Sequence, residues 1–113
     1  MNAAGSKAEE FCAELLRKAG LRILARNWRC RLGEIDLVAE EGDTLVFAEV
    51  RMRSGAHYGG AAESVTAAKR ARILAAARLY LAGGAERACR FDVLLLDALD
   101  PPRVQWVRNA FGD

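Results

Sequence analysis

The chain has 113 residues, 52% of them hydrophobic and 28% charged, with a formal net charge of +2. That length fits one domain, and the balance excludes a disordered, collagen-like or disulfide-stapled chain. The longest hydrophobic run, Ile73 to Ala77, falls far short of the ~20 residues a membrane-spanning helix needs. No apolar stretch precedes Glu9 and Glu10, so no signal peptide is expected. Cys12, Cys30 and Cys89 are odd in number and widely spaced, which fits reduced thiols in a cytoplasmic protein better than a disulfide or zinc framework.

In chain order, Ser6 and Glu9 have capping-box spacing. Phe11, Cys12, Leu15, Leu16 and Ala19 follow at helical spacing, and Gly20 is a stop. The spacing predicts a helix over 6–19. Residues 21–30 read as a strand, and 34–41 and 44–52 as two more, joined by Gly42-Asp43 as a Gly-first two-residue turn. Gly55, Gly59 and Gly60 mark a loop over 53–62. Residues 65–82 are rich in Ala, Arg and Leu and predict a second helix, ended by Gly83-Gly84. Phe91, Val93, Leu94, Leu95 and Leu96 suit a central strand over 90–97, and a last edge strand follows Pro101-Pro102 over 104–110. The order predicts an α/β domain with a mixed sheet, spanning 5–110.

The small net charge conceals a block pattern. Arg22, Arg26, Arg29 and Arg31 form a basic stretch without an acid. Glu34, Asp36, Glu40, Glu41, Asp43 and Glu49 follow without a base. Arg51, Arg53, Lys69, Arg70, Arg72 and Arg78 then face only Glu63. Of 17 basic residues, 14 are arginine, the side chain suited to bidentate phosphate contacts. The pattern fits a phosphate-facing surface around an acidic centre, against the alternative of ordinary solvated charge.

A Gly42-Asp43 turn sets Asp36 opposite Glu49 and Glu34 opposite Arg51, on a face shared with Val38, Leu45 and Phe47. Opposed like charges destabilise a hairpin, and a divalent cation turns their repulsion into attraction. Two alternatives stay open: a register shifted by one residue, or neutralisation of the pair by Arg51. Glu9, beside the apolar stripe of the first helix, is a candidate third ligand, although the capping box by itself also accounts for it.

The segments GSKAEEFCAELLRKAG, ARNWRCRLGEIDLVAEEGDTLVFAEVRMR, VTAAKRARILAAARLYL and CRFDVLLL closely resemble the YraN family of small bacterial proteins. That family looks like the PD-(D/E)XK nucleases, archaeal Holliday junction resolvases in particular. The resemblance implies an αβββαβ core of the restriction-endonuclease type. It also implies a Mg²⁺ or Mn²⁺ site of Asp36 and Glu49 with Glu9 joining, and a catalytic lysine at the position of Arg51. Arginine stays protonated and does not act as a base, so Arg51 is left with phosphate orientation or charge stabilisation.

The expected function is metal-dependent hydrolysis of DNA, branched DNA included, with RNA as a further candidate partner and a homodimer by analogy. Asp36, Glu49 and Arg51 are the candidate catalytic residues, with the Val50 carbonyl as a further ligand. Arg29, Arg31, Arg53, Lys69 and Arg72 are candidate nucleic-acid contacts, with Arg26 extending the track. Two alternatives are a binding module without turnover and a small protein–protein adaptor. His57, Trp28 and Trp106 read better as a bystander and two packing residues, and Asp92 as a structural hydrogen-bonding group.

Overall fold

Ala8, Cys12, Ala13 and Leu16 recur at helical spacing, and their burial fixes one face of the N-terminal helix to the sheet. The computed structural model describes residues 3–53, 60–82, 84, 86–99 and 102–112. Helix α1 (Ala3–Lys18) is closed by Gly20 at φ +97°. Gly20 N–H donates to the Arg17 carbonyl and Leu21 N–H to the Leu16 carbonyl, the paired bonds of a Schellman end. The helix begins three residues before Ser6, so Ser6 is not its N-cap, and the capping-box explanation of Glu9 falls away.

Five strands follow: β1 (Arg22–Cys30), β2 (Gly33–Glu41), β3 (Thr44–Met52), β4 (Cys89–Leu99) and β5 (Pro102–Phe111). They lie in one sheet in chain order, antiparallel except for the parallel β3–β4 pair. A parallel pair needs a crossover, and helix α2 (Ala67–Leu81) supplies it. Thr66 is the α2 N-cap; its Oγ1 accepts from the Lys69 N–H at 3.2 Å.

The helices cover opposite faces of the sheet. Leu37, Ala39, Val46, Ala48, Leu94 and Leu96 pack with α1. Ile35, Val38, Leu45, Phe47, Val93 and Leu95 pack with Ile73, Ala76 and Ala77 of α2. Burial on both sides explains why β4 reads as an almost unbroken apolar run. Among the described residues, no helix is long and apolar enough to cross a membrane.

Asp92 is the polar exception in β4. It is fully buried, and its carboxylate accepts from Arg90 Nε at 3.0 Å, Trp106 Nε1 at 3.0 Å and the Asn109 N–H at 2.9 Å. Asn109 has φ +53° and lies within the irregular stretch where β5 pairs with Phe91 and Val93. The carboxylate thus takes up an N–H that the disturbed ladder leaves over, and Asp92 and Trp106 are structural as the sequence suggested. Asp92→Ala should destabilise the fold by about 1–3 kcal/mol, because it removes the one buried acceptor shared by Arg90, Trp106 and Asn109. Urea unfolding checks this; a midpoint within error of wild type would contradict it.

Candidate metal and phosphodiester site

The hairpin forms in the predicted register. Five pairs run from Glu41↔Thr44 to Leu37↔Ala48, and the positive φ of the turn, +58°, falls on Gly42. The pairing then stops. β2 remains paired to β1 as far as Gly33, and β3 remains paired to β4 as far as Met52. The sheet therefore opens in its middle, between residues 33–36 and 49–52. Asp36 and Glu49 flank this opening and are not ladder partners. Glu34 does not face Arg51; it pairs with Arg29 at 3.0 Å.

Two slips in side-chain alternation accompany the opening. Ile35 and Val38, three apart, both pack on the α2 side, whereas Leu37 packs on the α1 side. Ala25 and Trp28 of β1 show the same slip, with Asn27 at φ +52° between them. Strict alternation would hold Asp36 on one face. The slip instead lets its Oδ2 accept from the Val50 N–H at 2.9 Å, a donor that the ended ladder leaves over.

Glu49 is 3% exposed. Its Oε1 is 2.9 Å from Lys69 Nζ, while Oε2 is buried, and the carboxyl lies within hydrogen-bonding reach of Asp36. Burial first, and then the neighbouring Asp36, push the Glu49 carboxyl up to about 8. Burial also raises Asp36, opposed by the Val50 N–H. The pair thus holds a proton between its two carboxyls when no cation offsets the charge. Lys69 is the third residue of α2, where a cation is disfavoured by the helix dipole. Its pairing with Glu49 offsets that cost. Sequence reading placed Lys69 on a phosphate-contacting face and missed this contact, because the crossover that brings α2 over β3 leaves no local pattern.

Glu9 lies on the α1 side. Its Oε1 accepts from Asn27 Nδ2 at 3.1 Å, and its charge contributes to the raised pKa of Asp36. Cys12, between them, is buried, and its thiol is pushed to about 12 by burial first and then by Asp36 and Glu9, so it stays protonated and inert. Among the described residues, no three His, Cys, Asp or Glu side chains converge into a ready metal cluster. The oxygen donors of Asp36 and Glu49, two carboxyls close enough to share a proton, nevertheless fit a hard divalent cation.

Arg51 follows Glu49 by two residues on β3, and its Nε is buried without a partner. Arg31 and Arg72 are exposed; Arg29 is 71% exposed in its pair with Glu34. Arg53 borders a separate cavity of about 110 Å³ with Leu95, Asp97, Arg103 and Gln105. Arg26 pairs with Glu10 at 2.7 Å. Arg70 is not a solvated charge: its Nε donates to the Val65 carbonyl at 3.0 Å and its guanidinium lies over Phe111. Trp28 packs edge-to-face on Tyr80 at 5.3 Å, in the packing role expected of it. His57 lies outside the described residues.

The fold and these side chains define a small α/β domain with a carboxylate pair, Glu49 buried and Asp36 half-buried, where its mixed sheet opens. The chain belongs to the uncharacterised protein family UPF0102, whose family model matches residues 8–96. This is the YraN-like family that the sequence resembles. The chain is 49% identical over 110 residues to a UPF0102 protein of Nitrosomonas europaea, covering 96% of this chain and 93% of that one. It is 50% identical over 113 residues to one from Pseudomonas aeruginosa, covering 95% and 90%. A UPF0102 protein of Methylobacillus flagellatus is 47% identical over 112 residues, covering 99% of both chains. The family match takes in Glu9, Asp36, Glu49, Arg51 and Lys69 and ends within β4.

A carboxyl raised on folding has a definite signature in stability. With the pair's proton kept in the native state up to about pH 8 and Glu49 ionised in the unfolded chain above 4.5, the native state holds the extra proton across that window. Metal-free stability should therefore fall as pH rises from about 5 to 8 and level off above. The single-proton limit is about 1.4 kcal/mol per pH unit. Glu49→Gln should remove this slope. Thermal melts in chelator at pH 5, 6.5 and 8 check it; equal slopes for both proteins would contradict the assignment.

Proposed function

We propose that the protein binds nucleic acid and hydrolyses phosphodiester bonds with a divalent cation held by Asp36 and Glu49. The buried Glu49 carboxyl, set against the Asp36 carboxyl within hydrogen-bonding reach, is the observation that carries this reading. Two carboxyls so close and so shielded from water do not both ionise readily, and a divalent cation lets both do so. The Val50 carbonyl, next to Glu49, is a candidate further oxygen. A bound Mg²⁺ supplies Lewis-acid polarisation of a phosphoryl oxygen and lowers the pKa of water.

The chain's own groups divide the remaining work. Arg51 stands where related nucleases are expected to carry lysine, and a guanidinium suits a phosphate better than it suits a base's task. It is assigned to orient the scissile phosphate. Lys69, 2.9 Å from Glu49, brings an ammonium to the same carboxylates from α2 instead of β3. It is assigned to stabilise charge that develops as the phosphodiester breaks. Arg29, Arg31, Arg53 and Arg72 are assigned to the flanking backbone. The Arg29–Glu34 pair is exposed and weak, so phosphate can displace it. DNA is the substrate class proposed, branched DNA included.

Arg51 also supports a second reading, a nucleic-acid-binding module that lacks turnover. Incubation with linear, nicked and four-way-junction DNA in Mg²⁺ or Mn²⁺ separates the two. Cleavage is expected, and Asp36→Asn and Lys69→Met should each lower its rate by on the order of 10²-fold. Absence of cleavage by the wild type and by Arg51→Lys, with binding that weakens steeply with salt, would leave the binding module. Absence of binding at low salt would overturn both and favour a protein–protein adaptor.

A further inference from the structure

Asn27 has no part in the reading above, yet four observations single it out, next to Asp36 on the β1 side of β2. It is one of only two described non-glycine residues with positive φ, at +52° in the middle of β1. Left-handed backbone is costly for most side chains and best tolerated by asparagine. The other such residue, Asn109, is accounted for by its bond to Asp92. At Asn27 the ladder is interrupted between Arg26↔Leu37 and Trp28↔Ile35, which sets Asn27 across from Asp36. Its amide is half engaged: Nδ2 donates to Glu9 Oε1 at 3.1 Å, while Oδ1 is buried without a donor.

A buried amide oxygen with no partner is destabilising, and backbone strain adds to it. A side chain kept only for packing gains nothing from either. Both features make sense if the amide oxygen belongs to a ligand. The unpartnered atoms of this region are Asn27 Oδ1 and Arg51 Nε, beside the Asp36–Glu49 carboxyl pair: oxygens that suit a hard cation and one donor that suits a phosphate. Glu49 itself is 3% exposed, so its carboxyl has almost no access to bulk water.

We infer that Asn27 is part of the cation site, with Oδ1 adding a neutral oxygen to the carboxylates of Asp36 and Glu49 while Nδ2 holds Glu9 beside them. This rests on the proposed cation-dependent reading. It assigns a role to a β1 residue and gives Glu9 a reason for its place other than helix capping. Glu9 contributes charge to the site through the asparagine that holds it. The left-handed backbone breaks the regular pleat of β1 at the position across from Asp36.

The test is titration of the full chain with Mn²⁺ alone, with thermal melting in chelator as the folding control. Asn27→Gly keeps the left-handed backbone without strain and removes the amide; it should weaken Mn²⁺ binding by about 10-fold or more. Its metal-free melting temperature should stay within a few degrees of wild type. Asn27→Asp retains an oxygen and tolerates the backbone but loses the donor to Glu9; it should bind Mn²⁺ at least as tightly as wild type. If Asn27→Asp loses as much affinity as Asn27→Gly, or Asn27→Gly loses none while Asp36→Asn does, the role of Asn27 is overturned and the cation reading stands. If the wild type itself does not bind Mn²⁺, both fall.

Discussion

The hydrogen bond from the Val50 N–H to the Asp36 carboxylate is the contact around which the rest of the site is arranged. β2 and β3 pair closely near their turn and part beyond Leu37↔Ala48, and a parted pair leaves backbone groups in the interior that need partners. Asp36 supplies one such partner from its side chain. The strands can stay apart because each is held by its other neighbour, β2 by β1 and β3 by β4. The two helices hold the outer faces, α1 on Leu37 and Ala48 and α2 on Ile35 and Phe47. The opening is thus a built feature of the sheet and not a frayed end.

Electrostatics divide the acidic stretch of the sequence into two halves with opposite behaviour. At the turn end, Glu40 is held below its ordinary pKa by Arg22 and Arg87, and Glu41 by Arg90. At the opening, Asp36 and Glu49 are raised, chiefly by burial. The same run of carboxylates is therefore neutralised by arginine at one end and left short of positive charge at the other. Lys69 offsets part of that deficit but reaches only one oxygen of Glu49. The deficit that remains is what a divalent cation would fill.

Much of the frame was legible from local pattern. The Gly42-Asp43 turn set the β2–β3 register, since a two-residue loop leaves one way to pair the strands and Glu41↔Thr44 to Leu37↔Ala48 follow from it. Gly20 marked the end of α1, and the apolar run in β4 marked a strand buried on both faces. The capping box at Ser6 misled, because the same letters occur inside a helix that starts earlier. The face-to-face placement of Asp36 and Glu49 was right in proximity and wrong in detail: it assumed that alternation continues past Leu37, and a slip of one residue is invisible in sequence.

By itself, then, the sequence determined the element order, the mixed sheet, the hairpin register and the identity of the two carboxylates, because these depend on short-range spacing and turn chemistry. Only the tertiary structure decided that the sheet opens at those carboxylates, that Lys69 reaches Glu49 from a helix 20 residues further on, and that Asn27 joins Glu9 to Asp36's side of the opening. Those contacts are made across the sheet and between layers. They depend on which strand lies beside which, and on how a crossover helix settles over its face. No repeat, motif or periodicity along the chain encodes that geometry.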